Sequence, residues 1–157
     1  MSNFERLVQL AEEVFAVKSD PSQLNVDQTV IERLFMIHPF TVSESRDENG
    51  PVAWLLVIPT TEDLMNRFLA EEITERELFD LTPLDVPYEA IYLCSGLVLE
   101  EYRRKGITKK LALQAIEAIR KDHPIKALFS WAFSTEGDRA AERIAELAVL
   151  PLYKRTS

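Results

Sequence analysis

The chain has 157 residues, with 26 Asp and Glu against 18 Lys and Arg and a formal net charge of −8. That length suits one domain, residues 1–157, with a core that needs no staples, and the acidic surplus argues against nucleic-acid binding. No apolar run approaches the ~20 residues of a membrane span, and the single cysteine, Cys94, rules out an internal disulfide and points to a cytoplasmic setting.

Ser2 and Glu5 form a capping box before Leu7, Leu10, Ala11, Val14 and Val17, which predicts an amphipathic helix. Asp20-Pro21-Ser22 breaks it. Asn25 and Gln28 repeat the spacing before a second helix carrying Val30, Ile31, Leu34 and Phe35, which His38-Pro39 ends. Phe40 to Ser45 and Pro51 to Pro59 read as two strands joined by the turn Asp47-Glu48-Asn49-Gly50. Thr60 with Asp63, then Thr74 with Glu77, open helical stretches across residues 61–81. This is the most acidic part of the chain, and its carboxylates read as a solvated face.

Ala90 to Leu99 is almost unbroken in its apolar character, as in a strand buried on both faces. Ile107, Leu111, Ala115, Ile116 and Ile119 then recur at helical spacing, and Ile125 to Phe133 is a second apolar run. Strand, helix, strand at this spacing is a βαβ crossover with parallel strands. Gly96 within the first strand predicts a bulge or a close backbone approach. Thr135 with Asp138 begins a last helix, Pro151 halts it, and Leu152 to Ser157 has room for a short tail or edge strand. The fold class is α/β with a mixed sheet.

The joint of the βαβ unit carries the chemistry. Arg103, Arg104, Lys105, Lys109 and Lys110 place five cations in eight residues, and no acidic residue occurs from Tyr102 to Ile116. A helix start ordinarily favours Asp and Glu, because the dipole is positive there. Cations crowded at such a start, beside the turn residue Gly106, predict an anion held by them and by free backbone N–H groups. The plainer alternative is a solvated basic face. The four glycines, at 50, 96, 106 and 137, allow neither a P-loop nor a dinucleotide fingerprint.

The run Val98-Leu-Glu-Glu-Tyr-Arg-Arg-Lys-Gly-Ile-Thr108, with the helix after it, resembles motif A of the GNAT superfamily of N-acetyltransferases. That pattern is Arg or Gln, two residues, Gly, one residue, then Gly or Ala. Arg103 and Gly106 match, and Thr108 stands at the last position. The resemblance covers about residues 90–148 and implies an acyl-CoA N-acyltransferase fold, its sheet shortened at the C-terminal end, that transfers acetyl from acetyl-CoA to an amine. Leu97, Val98 and Leu99 would bond the pantetheine arm through their backbone. The N–H groups of Arg104, Lys105, Gly106, Ile107 and Thr108 would cradle the diphosphate, with Arg103 and Lys109 beside it.

By the same analogy Glu89 would serve as general base, and Tyr153 as acid in place of a helix tyrosine whose position falls near Ala145. A non-catalytic acyl-CoA-binding or assembly module on this fold is the alternative. Cys94 reads as a buried structural thiol, Trp54 and Trp131 as core, and His38 and His123 lack metal-ligand spacing, so no metal is expected. With so short a C-terminus the strand at 125–133 would be left near an open edge, which a second copy of the chain would cover. A homodimer is therefore expected.

Overall fold

The computed structural model describes residues 2–17, 28–132 and 134–156, with side chains described from 2–11 in the first of these segments. It is a mixed α/β structure. The five strands are β1 (Val42–Asp47), β2 (Gly50–Thr60), β3 (Ala90–Val98), β4 (Ala127–Ser130) and β5 (Leu152–Lys154). They form one sheet in chain order. The first three are antiparallel and the last three parallel. The helices are α1 (Asn3–Val17), α2 (Gln28–Ile37), α3 (Glu62–Leu69), α4 (Glu75–Leu81), α5 (Ile107–Asp122) and α6 (Thr135–Ala148).

Local chemistry explains where these elements start and stop. Ser2 Oγ accepts the Glu5 N–H and opens α1, and Thr74 with Glu77 closes a full capping box on α4. Two other caps are displaced by one residue from their sequence expectation. Thr61 rather than Thr60 caps α3, because Thr60 is buried in β2 and hydrogen-bonds Thr82, which donates in turn to the Leu78 carbonyl. Ser134 rather than Thr135 caps α6, accepting from the Gly137 N–H. β1 begins at Val42 rather than Phe40, since Thr41 is spent on the α2 terminus, donating its hydroxyl to the Leu34 and His38 carbonyls. The expected break at 20–22 and the cap at Asn25 lie outside the described residues.

Sheet register assigns the two faces. Tyr92 on β3 and Phe129 on β4 are paired neighbours, and α3 lays Phe68 against both, with ring centroids 5.1 and 5.9 Å away. A Cβ on Gly96 would touch Thr108 of α5 at 3.5 Å. Leu55 pairs with Gly96, and Ile58 with Tyr92. By alternation along β2, Gly96 and Tyr92 therefore point to opposite faces, so α5 and α3 sandwich the sheet. The bulge expected at Gly96 falls at Cys94, the residue skipped where Leu56 pairs with Ser95 and Val57 with Leu93. Gly96 instead lies beneath Thr108, at a distance where a Cβ would make only ordinary contact.

Other placements also depart from expectation. Phe35 is 49% exposed while Leu34 and Ile37 point inward. Cys94, Trp54 and Trp131 are half-buried rather than core, and the Trp54 ring N–H donates to Glu44 at 2.7 Å. β4 is four residues long, and β5 pairs alongside it through Leu128↔Leu152, Phe129↔Tyr153 and Ser130↔Lys154. The chain thus covers the edge of β4 itself, and the three-residue β5 becomes the last strand of the sheet.

α6 ends in a Schellman motif. The Val149 N–H bonds the Glu146 carbonyl, and the Leu150 N–H bonds that of Ala145. Val149 stands in the glycine position at φ 56°, a strained conformation for a β-branched residue, and is 84% exposed. Val149→Gly is expected to stabilise the fold by about 1 kcal/mol, since little packing is lost and the strain is relieved. A shift of the urea midpoint to higher concentration checks this.

His38 and His123 brace the junction of α2, α5 and the entry to β3. The Phe40 N–H donates to His38 Nδ1, and His38 Nε2 contacts Asp122 at 2.8 Å. The Tyr88 N–H donates to His123 Nδ1. Burial, with the neighbouring His38, lowers the His123 pKa below the ordinary 6.5. The unfolded chain therefore takes up the proton first. The stability contributed by neutral His123 is complete above pH 6.5 and declines as pH falls through the lowered folded-state value. Urea midpoints should drop between about pH 7 and pH 5, with a shallower drop in His123→Gln.

Candidate functional site

Two features meet at the C-terminal end of β3. The first is a gap in the sheet. β3 pairs with β4 only through Ala90↔Ala127 to Leu93↔Ser130, while its pairing with β2 continues to Val98. Among the described residues, Ser95 to Val98 have a strand neighbour on one side alone. The Leu99 N–H donates to the Val52 carbonyl on β2, so by alternation Leu97 and Leu99 turn their peptide groups to β2. Val98 and Gly96 turn theirs to the gap. Of the three residues expected to bond a pantetheine arm, Val98 alone is so oriented, and Gly96, which was not among them, shares its orientation through the two-residue period of a strand.

The second feature is the turn. A short 3-10 helix, Glu100–Tyr102, leads into it, with Arg104 at φ 64° and Gly106 at φ 72°. Left-handed residues at such spacing curl successive N–H groups into a concave, anion-attracting surface. The Lys110 N–H donates to the Gly106 carbonyl, and no side chain caps α5. Among the described residues none accepts from the N–H groups of Arg104, Lys105, Gly106, Ile107, Thr108 or Lys109. Nor does any carboxylate pair with Arg103, Arg104, Lys105, Lys109 or Lys110 there. Lys105 lies 5.3 Å over the Tyr102 ring. The Thr108 side chain is turned toward Gly96.

One of the two acids just before the turn, Glu101, is engaged elsewhere. Arg6 on α1 holds Glu101 in a two-pronged contact of 2.6 and 2.8 Å, which lowers the Glu101 pKa to about 2. The Tyr102 hydroxyl donates to Asp47 at the hairpin tip, where Asn3 also donates. These two ties anchor the turn to α1 and to the end of β1, and neither was legible as a sequence pattern.

A groove of about 480 Å³ opens beside Lys109 and Lys110, floored by Leu113, Ile116, Leu147 and Ala148 between α5 and α6. Gln114 and Glu117 also line it, so its rim carries charges of both signs.

The expected catalytic residues lie away from the turn, toward the paired part of β3 and β4. Glu89 precedes β3, nine residues or roughly 30 Å along the strand from Val98. Its carboxylate accepts from the Glu62 N–H and pairs with Lys126, which also contacts Glu62. Tyr153 lies on β5, two strands from β3 and 47% exposed. Level with Tyr153 is a buried pair that sequence reasoning missed. The Tyr92 hydroxyl donates to Glu75 at 2.6 Å, and burial pushes the tyrosine pKa well up. Glu75 is 6% exposed, an exception to the solvated acidic face. Arg155 covers this cluster, its guanidinium 4.6 Å from Phe68 and 4.5 Å from Trp131, and donates to the Ile73 carbonyl.

Among the described residues no cluster of three or more His, Cys, Asp and Glu side chains could hold a metal ion, and no helix is long and apolar enough to cross a membrane. No protein-family model matches the sequence, and no curated protein matches it either.

Proposed function

We propose that this is an acetyl-CoA-dependent N-acetyltransferase with an acyl-CoA N-acyltransferase fold, acting on an amine of a small molecule or peptide. The carrying observation is the coincidence, at one end of β3, of an open strand edge with a turn whose amides have no acceptor and whose cations have no carboxylate partner among the described residues. In this reading the diphosphate sits on the N–H groups of 104–108, with Arg103, Lys105 and Lys109 around it. Dipole and cations act together there. The pantetheine arm enters the gap and meets the peptide groups of Gly96 and Val98. The thioester then lies near the vertex where β3 and β4 diverge. Thr108 fits because its side chain lies over Gly96, leaving its N–H for the ligand.

A second reading, a non-catalytic acyl-CoA-binding module, is favoured by a different observation. At the vertex the α3 face of the sheet is closed by Phe68, Trp131 and Arg155, where an acceptor would otherwise approach. Calorimetry with acetyl-CoA and with CoA tests both readings, and absence of heat with either ligand sinks both. If the ligands bind, thiol release across a panel of amines supports the enzyme. Binding without release for any amine supports the module.

A further inference from the structure

Ser130 is the last residue of β4 to pair with β3, opposite Leu93. It is 3% exposed, and its hydroxyl has no hydrogen-bond partner among the described residues. Its carbonyl is engaged, accepting from the Arg155 N–H. An unpaired buried hydroxyl is destabilising, so its presence calls for a reason.

Register places the hydroxyl. Phe129 faces α3, so Ser130 faces the other side, which carries Gly96 and α5. That is the side on which α5 follows the turn. The vertex and Val98 are five residues apart, roughly 17 Å of strand, a span of the order of an extended pantetheine arm. The sulfur of a thioester whose diphosphate occupied the turn would therefore arrive beside Ser130.

We propose that Ser130 is a catalytic residue that donates a hydrogen bond to the departing sulfur, a role that rests on the acyl-CoA reading above. The neutral amine nitrogen attacks the thioester carbonyl carbon, the C–N bond forms and the C–S bond breaks. The electron pair leaves on sulfur, and the proton lost by nitrogen ends there, giving amide and free thiol. Ser130 stabilises the sulfur while its charge develops and is itself unchanged. Nearby titratable groups are the Cys94 thiol at the bulge and Lys154, paired in register with Ser130 and bonded to Asp138 and Glu142. The turn's cations stand at the outer end of the gap.

The test binds CoA to the wild type and to Ser130→Ala and follows ionisation of the bound thiol by its ultraviolet absorbance. Both proteins should bind CoA alike near neutral pH, because the diphosphate dominates affinity. In the wild type the bound thiol should ionise at a pH about one unit lower than in Ser130→Ala, the tenfold effect of one hydrogen bond to a charged group. The Ala variant should melt at the same temperature or higher, having lost only an unpaired hydroxyl. Identical ionisation in the two proteins overturns the role of Ser130 and leaves the acyl-CoA reading intact. A much lower melting temperature also overturns it, since the hydroxyl would then be bonded within the fold. Failure of the wild type to bind CoA overturns the acyl-CoA reading itself.

Discussion

Replacing Arg103 and Lys105 together by Glu is expected to weaken acetyl-CoA binding by about ten- to a hundredfold at low ionic strength. Each reversal removes a cation from the diphosphate and sets a carboxylate beside it. The loss should shrink as salt is raised, because the screening length falls from ~10 Å at 0.1 M to ~3 Å at 1 M. Lys121→Glu, at the far end of α5, should leave the affinity near that of the wild type. Equal affinity for the wild type and the double variant would falsify the electrostatic part of the site. Backbone N–H groups would survive both substitutions, so a residual affinity is also expected.

Phe68→Ala should cost about 3–5 kcal/mol of folding stability, the range for removing a fully buried aromatic ring. Phe68 has no exposed surface. Its ring touches Tyr92, Phe129 and Trp131, and Arg155 lies over it. One side chain thus joins α3 to β3, β4 and the residue after β5. Urea denaturation measures the loss. A cost below about 1 kcal/mol would mean that the α3–α4 segment is an appendage that the sheet does not need.

That result bears on function, because the same ring closes the α3 face at the vertex. If Phe68→Ala retains enough structure to bind CoA, its thiol-release rate with small amines becomes informative. A higher rate than wild type would mark the ring as a barrier to the acceptor. The cavity left by a phenyl group is large enough to admit one.

Much of the architecture is legible along the chain because it depends on local chemistry. The Ser2 cap, the capping box at Thr74, the Asp47–Gly50 turn and the periodicity of α5 each involve residues a few positions apart. Charge crowding at 103–110 is likewise a local fact, and with it the position of the turn. What the sequence alone determined is thus the order of elements, the parallel βαβ unit and the place of the cation-rich turn.

Tertiary structure decided the rest, since it depends on partners far apart in sequence. Only the fold shows that Arg6 holds Glu101 away from the turn's cations, 95 positions along the chain. Only strand register shows that β3 and β4 part after Leu93, that Cys94 rather than Gly96 is the bulge, and that Val98 rather than Leu97 faces the gap. The buried Tyr92–Glu75 pair, the Arg155 cover and the unpaired Ser130 hydroxyl have the same origin. A hydrogen bond or a cavity belongs to residues that the chain brings together across tens of positions, and no short-range pattern encodes which ones will meet.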